Sequence, residues 1–228
     1  MSKTHHVFVT GGSGYLGRPF IAELLKRGHP VSALVRDGSE SKLPSGCRAV
    51  VGDALEASSY ASKIQPADTF VQLVGVSHPN PSKADEFRAI DRSSAMGAVN
   101  VAKAAGIQHF IYLSVAQPAP IMKAYIEVRA ECEQEIRSKE LNATIIRPWY
   151  VLGPGHRWPY LLLPMYWLME RIPATRDSAR RLGLVTLDEM TRTLVQAVEH
   201  PSAGAKIVEV PEIRGSGALA ENSLCAMA

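Results

Sequence analysis

The feature that most constrains this chain is the run Thr10-Gly11-Gly12-Ser13-Gly14-Tyr15-Leu16-Gly17. It lies between the apolar Val7-Phe8-Val9 and a stretch whose apolar positions, Leu16, Phe20, Ile21, Leu24 and Leu25, recur at helical spacing. Apolar run, glycine turn and amphipathic run read as strand, tight turn and helix start. Gly12, Gly14 and Gly17 fit GxGxxG, while Gly11, Gly14 and Gly17 fit TGxxGxxG from Thr10. In such a turn the first glycine permits the sharp reversal, the middle one admits a phosphate to the backbone, and the last lets the helix pack close to the strand. Exposed amides and the positive end of the helix then favour a pyrophosphate. The plainer alternative is a structural turn with no ligand.

The same punctuation continues along the chain. Gly28-His29-Pro30 stops the first helix, with Pro19 tolerated in its first turns. Apolar runs predict further strands at Val31 to Val35, Arg48 to Asp53, Thr69 to Gly75, Phe110 to Leu113 and Thr144 to Ile146. Helices are predicted from Leu55 to Ile64, from Lys83 to Ala105 and from Ala124 to Lys139, and Val185 to Met190 leads into another through Leu194 and Val198. Lys206 to Val210 reads as a last strand. Strands alternating with helices predict an α/β fold: a Rossmann-like, doubly wound parallel sheet covered by helices on both faces. The expected division is a core over 1–157, a small C-terminal lobe over 158–214 that returns to it, and a loose tail over 215–228.

Ligands of such sheets bind beyond the carboxyl ends of the strands, and Gly11, Arg36, Asp53, Gly75, Ser114 and Pro148 all fall there. The turn after the second strand bears on cofactor choice. An acidic residue about 20 positions past the glycines holds the ribose 2′-hydroxyl of NAD, whereas an arginine accommodates the 2′-phosphate of NADP. Here Arg36 follows the strand, which favours NADP, and Asp37 keeps NAD as the alternative. Arg36 and Asp37 also read simply as a solvated turn.

Composition narrows the function classes. With 46% hydrophobic and 21% charged residues the chain is globular, and a net charge of +3 without a basic run gives nucleic-acid binding no support. Cys47, Cys132 and Cys225 are far apart and the seven histidines lack ligand spacing, so neither a disulfide framework nor a metal site is expected. A strand almost at the start leaves no room for a signal peptide, so a cytoplasmic location is the expectation. The apolar stretch Trp158 to Met169 is about half of the ~20 residues that a membrane span needs and contains Pro159 and Pro164, so no transmembrane segment is expected. That stretch reads as an apolar substrate pocket, a subunit interface or ordinary core, with a membrane-surface role as a further reading.

Several segments in series carry a family resemblance: TGGSGYLG at Thr10, LVRD ending at Asp37, GDAL from Gly52, YLSVA from Tyr112 and RPWYVLGPG from Arg147. Together they span about two-thirds of the chain and resemble the short-chain dehydrogenase/reductase superfamily, in particular its extended and atypical members, which include NmrA-like and epimerase-like proteins. The resemblance implies that Thr10, Gly11, Ser13, Gly14, Tyr15, Leu16 and Gly17 surround the pyrophosphate and that Asp53 and Ala54 meet the adenine. Leu73, Val74 and Gly75 would pass near the riboses. Pro148 and Val151 would offer backbone groups to the nicotinamide carboxamide.

Family enzymes generally pair a proton-donating tyrosine with a lysine in YxxxK, plus a serine. The matching stretch is Tyr125-Ile126-Glu127-Val128-Arg129, with arginine in place of lysine. Spacing of four puts Tyr125 and Arg129 on one helix face, where Arg129 could hold a ribose hydroxyl and favour a phenolate but could not relay a proton. An alternative is that Glu127, Arg129, Glu131, Glu133 and Arg137 form a solvated face, with Arg129 and Glu133 at salt-bridge spacing. Ser114 is the candidate serine, although the family serine aligns with Val115, so Ser114 could also contact only the cofactor. His78 is a further candidate acid or a surface residue.

The expectation is an NADPH-dependent oxidoreductase acting on a small apolar carbonyl or conjugated substrate. The alternatives are a non-catalytic NADP(H)-binding sensor or assembly subunit and, disfavoured by the short C-terminal lobe, a sugar epimerase or dehydratase. Oligomeric state is left open.

Overall fold

The computed structural model describes residues 3–76, 79–154, 163–169 and 171–216. In chain order the elements are β1 (Val7–Thr10), α1 (Gly17–Lys26), β2 (Val31–Val35), β3 (Arg48–Val51), β4 (Thr69–Gln72), α2 (Ala84–Glu86) and α3 (Ser93–Ala104). Then come β5 (His109–Leu113), α4 (Lys123–Ser138), β6 (Ala143–Arg147), β7 (Tyr150–Leu152), α5 (Leu163–Met169), α6 (Pro173–Arg181), β8 (Leu184–Thr186), α7 (Leu187–Glu199) and β9 (Ala205–Glu209).

The main sheet has seven strands in the order β3-β2-β1-β4-β5-β6-β9, and each pairing is parallel. The strand order reverses between β1 and β4, which opens a crevice beyond their carboxyl ends. Strands buried on both faces need apolar side chains on both, which is why Val7-Phe8-Val9 and Phe110-Ile111-Tyr112 do not alternate with polar residues. In-register pairing sets Phe8, Phe70 and Phe110 in a row across three strands. Their ring centroids are 5.3 and 5.4 Å apart, and Tyr60, Phe87 and Val128 pack on the same face. The opposite face carries Val9, Val71, Ile111 and Ile146 under Phe20 and Leu24 of α1 and Leu194 and Val198 of α7. Burying each such side chain contributes roughly 1.5–3 kcal/mol, and a one-residue slip would turn both rows to the wrong face.

Several expected elements differ in detail. The helix predicted from Leu55 to Ile64 is instead two 3₁₀ turns, Ala57–Ser59 and Ala61–Lys63. Ser59 Oγ donates to the carbonyls of Glu56 (2.7 Å) and Asp53 (3.1 Å), a side-chain bond that competes with helical pairing. The helix predicted from Lys83 to Ala105 is built from a 3₁₀ turn at Pro81–Lys83, α2, a π-helical stretch Phe87–Arg92 and α3. Residues 215 and 216, expected in a loose tail, close a helical segment over 210–216, where Ser216 is buried and its hydroxyl donates to the Ile213 carbonyl at 2.6 Å. The rest of that tail and His78 lie outside the described residues, as does the part of the apolar run over 158–162. The small parallel pair β7–β8 and helix α6 were not foreseen.

Candidate functional site

The glycine turn follows β1 into the crevice. Gly11 has φ +75°, and a Cβ built on it would lie 2.9 Å from the Leu73 carbonyl carbon, so this position takes the sharp reversal against the β4 loop. At Gly17 a Cβ would lie 2.6 Å from Gly12 Cα, so the start of α1 rests directly on backbone. Gly14 is exposed, and its own backbone N–H donates to the Gly11 carbonyl at 3.0 Å. The reading with Gly11, Gly14 and Gly17 therefore describes the turn. Gly12 serves the core, since a Cβ there would meet Ile21 Cδ1 at 2.8 Å and Ala33 Cβ at 2.9 Å. No acidic residue lies in the first turn of α1, which leaves its positive end facing the crevice without an internal counter-charge.

The crevice is a cleft of about 460 Å³. One wall is Gly11, Ser13 and Gly14; Arg36 stands at the end of β2; Asp53 and Ala54 follow β3; Leu73, Val74 and Gly75 follow β4. The cradle, the exposed arginine and the strand-end backbone fit the phosphate-and-ribose backbone of a dinucleotide. Asp53 Oδ1 accepts from the Leu55 amide at 2.9 Å, which fixes the carboxylate within its own turn.

Other candidates are not on the cleft's lining. Thr10 is fully buried, and its hydroxyl bonds to the Gln72 side chain, tying β1 to β4 instead of reaching the cleft. Tyr15 covers Gly153, and Leu16 packs into the core between α1 and α7. The Pro148 carbonyl accepts from the Ala116 amide at 2.9 Å, and Val151 pairs with Val185 in the small sheet. Conversely, Val76, Lys83, Glu86 and Ile90 line the cleft without having been singled out in the sequence. The available signal was Asn80-Pro81: Asn80 Oδ1 accepts from the Ser82 amide at 3.0 Å, the mark of a helical start that brings Lys83 and Glu86 to the cleft.

Behind Gly75 lies a buried ion pair. Arg129, only 3% exposed, pairs with Asp91, itself fully buried. Arg129 also donates to the Leu113 carbonyl at 2.7 Å and to the Tyr112 hydroxyl at 3.3 Å. The other Asp91 oxygen accepts from the Val76 amide at 3.0 Å, and the guanidinium occupies the space a Gly75 side chain would need. Burial pushes the Asp91 carboxyl up from its ordinary value, while Arg129 and the Val76 amide pull it back. Tyr125 and Arg129 do share a helix face: the guanidinium carbon is 5.0 Å from the Tyr125 ring centroid, and the ring packs on Phe87 at 4.9 Å. Tyr125 is half-buried. Burial raises its phenol above the ordinary value, with the Arg129 charge opposing.

The solvated-face reading of α4 is corrected at two positions. Glu133 is 1% exposed and does not pair with Arg129. It accepts from Arg147 Nη2 (2.5 Å) and Nε (2.9 Å), Gln117 Nε2 (2.8 Å), Arg137 Nη2 (3.1 Å) and Ser114 Oγ (2.6 Å). Burial alone would raise its pKa, but the bonds from Arg147 and Ser114 outweigh that and hold it below the ordinary value. Arg147 also donates to Glu209 at 2.9 Å. Ser114 is thereby a committed donor, and it is only 3% exposed.

A family model described as NAD(P)H-binding matches residues 11–157. The chain is 27% identical over 227 residues to the 3-diazoavenalumate denitrifying reductase of a Streptomyces species, covering 87% of this chain and 73% of that protein. It is 24% identical over 215 residues to the ceramide reductase of Caulobacter vibrioides, covering 92% and 66%. Among solved structures, the Bordetella bronchiseptica enzyme WbmH in complex with NAD+ superposes with a TM-score of 0.68 at 18% identity, over 90% of this chain and 75% of that one, a likeness of fold.

Proposed function

This chain belongs to the NAD(P)H-binding family, and from that premise we propose that it is an NADPH-dependent oxidoreductase reducing a small apolar carbonyl or conjugated substrate. The observation that carries the reading is the contact between Arg129 and Gly75: the guanidinium that underlies Tyr125 also backs the cleft, so phenol and cleft form one unit. Two relatives carry the name reductase, which agrees with that direction. The glycine cradle would hold the pyrophosphate, with Arg36 at the 2′-phosphate. A bound nicotinamide supplies hydride. Tyr125 then gives its phenolic proton to the substrate oxygen. A phenol raised above its ordinary value is an acid at neutral pH, which suits reduction better than oxidation, where a phenolate is needed. Arg129 holds the ring and relays no proton.

NADPH consumption with a panel of aldehydes, ketones and quinones tests this. Tyr125→Phe should abolish turnover while leaving NADPH affinity within about twofold, and the parent rate should stay level through neutral pH and fall only in alkali above the ordinary range of a tyrosine phenol. NADPH absorbance that never decays despite tight binding would sink the reading. That result would favour the second one, a non-catalytic NADP(H)-binding sensor or assembly subunit, which the engagement of Arg129 by Asp91 and of Ser114 by Glu133 supports.

Cofactor choice is a separate expectation. Arg36→Ala should weaken NADPH by roughly tenfold or more and leave NADH nearly unchanged, because only NADPH offers a phosphate to the guanidinium. Equal losses in a fluorescence titration of both cofactors would remove Arg36 as selector.

A further inference from the structure

Two rows of side chains cross the middle of the main sheet on one face. Phe8, Phe70 and Phe110 form an aromatic row, and Thr10, Gln72 and Tyr112, which follow them on β1, β4 and β5 in the same register, form a polar one. All three members of the polar row are buried to 1% exposure or less. A parallel sheet covered on both faces has no need of an amide in a central strand, and burying one is costly unless it is hydrogen-bonded. We propose that Gln72, acting with Ser94, is a positioning residue that seats the Asp91–Arg129 pair beneath Tyr125 in a fixed place relative to the glycine cradle. The proposal rests on the reading of Tyr125 as the proton donor.

Each link in the chain is a side-chain bond. Gln72 Oε1 accepts from the Thr10 hydroxyl, and Gln72 Nε2 donates to Ser94 Oγ at 3.1 Å. Ser94, 1% exposed, donates in turn to the main-chain carbonyl of Asp91 at 3.2 Å. That carbonyl belongs to the π-helical stretch Phe87–Arg92, a widened turn of a kind often found at functional sites. Pinning it fixes where the Asp91 carboxylate stands, and the carboxylate holds Arg129. The polar row meets the pair a second time, because the Tyr112 hydroxyl accepts from Arg129 Nη1 at 3.3 Å. At the other end Thr10 precedes Gly11, and Gln72 precedes Leu73, whose amide donates to the Thr10 carbonyl at 3.1 Å. Gly11 and Leu73 both line the cleft. One row of side chains thus underlies the cofactor turn and the guanidinium alike.

The charges acting on the Tyr125 phenol are Arg129, on its own helix, which lowers its pKa, and Asp91, from the π-helical stretch packed against it, which raises it by less. Tyr112 and Cys132, the other titratable groups that interact with the guanidinium, are pushed up by burial. Loosening the pair therefore raises the phenol further. Gln72→Met, which keeps the length without the amide, and Ser94→Ala, which removes only the hydroxyl, test the chain. Each should lower kcat by roughly tenfold or more, with KM and NADPH affinity within about threefold of the parent. NMR of protein isotopically labelled at tyrosine Cζ, with the Tyr125 signal assigned from Tyr125→Phe, should show Tyr125 ionising at higher pH in both variants. The double variant should be no slower than the slower single one, since both cut the same chain. Variants with the parent's kcat and an unmoved Tyr125 transition would overturn the proposal, as would a joint loss of affinity and kcat with that transition unmoved. A parent that consumes no NADPH would sink the proton-donor reading instead, and an unmoved transition in the variants would then overturn the seating of Arg129 by itself.

Discussion

Asp91→Ala is expected to lower global stability by about 3–5 kcal/mol, because it strands the buried Arg129 guanidinium without its counter-charge. The substitution also removes the acceptor of the Val76 amide, which lies in the loop lining the cleft. NADPH affinity should therefore fall together with the urea midpoint. The double variant Asp91→Ala with Arg129→Met should recover part of the stability, since it removes the charge rather than isolating it. It should not recover the affinity, because Val76 remains unanchored. A single variant as stable as the parent would mean that the ion pair does not hold this wall.

Gly17→Ala is the second large effect. Its Cβ would fall 2.6 Å from Gly12 Cα and 2.7 Å from Gly12 C, backbone atoms that can yield only by displacing the whole turn. Overpacking of this kind costs typically 1–3 kcal/mol, and NADPH affinity should drop by roughly a hundredfold because the cradle moves with it. Gly14→Ala offers the contrast. The one atom near its Cβ is the Gly11 carbonyl oxygen at 3.1 Å, which asks a shift of a few tenths of an ångström, far less than at Gly17, while the methyl group stands in the path of a phosphate. Thermal unfolding and NADPH fluorescence should thus separate the two: both properties fall steeply for Gly17→Ala, whereas Gly14→Ala lowers affinity with a much smaller loss of melting temperature. Equal melting temperatures for the two variants would contradict the packing role of Gly17.

The sequence was most informative where local chemistry and global position agree. Val7-Phe8-Val9, Thr10 to Gly17 and Phe110 to Leu113 each satisfy strand or turn preferences and also sit where a parallel sheet needs them. Legibility failed where the deciding partner is remote. Arg129 and Glu133 occur among charges of mixed sign, the pattern of a solvated face, and remote partners, above all Asp91, 38 residues before Arg129, and Arg147, 14 residues after Glu133, draw them inward. Where a helix was expected after Asp53, Ser59 bonds the Asp53 and Glu56 carbonyls and short turns form, through side-chain bonds that a periodicity count does not register. β7 is three residues long, too short to show a period. Thr10 carried the family pattern in sequence yet spends its hydroxyl on Gln72.

The pairing of β9 with β6 also has a temporal meaning. Arg147 bonds both Glu133 and Glu209, the latter 62 residues further along the chain, and Ser114 donates to the Glu133 carboxylate. On a ribosome, strands β1 to β6 can emerge and pair while Arg147 still lacks one of its two acidic partners. The bond network that carries Ser114 is therefore complete only when β9 has followed β1 to β6 out of the exit tunnel and added the last strand beside β6.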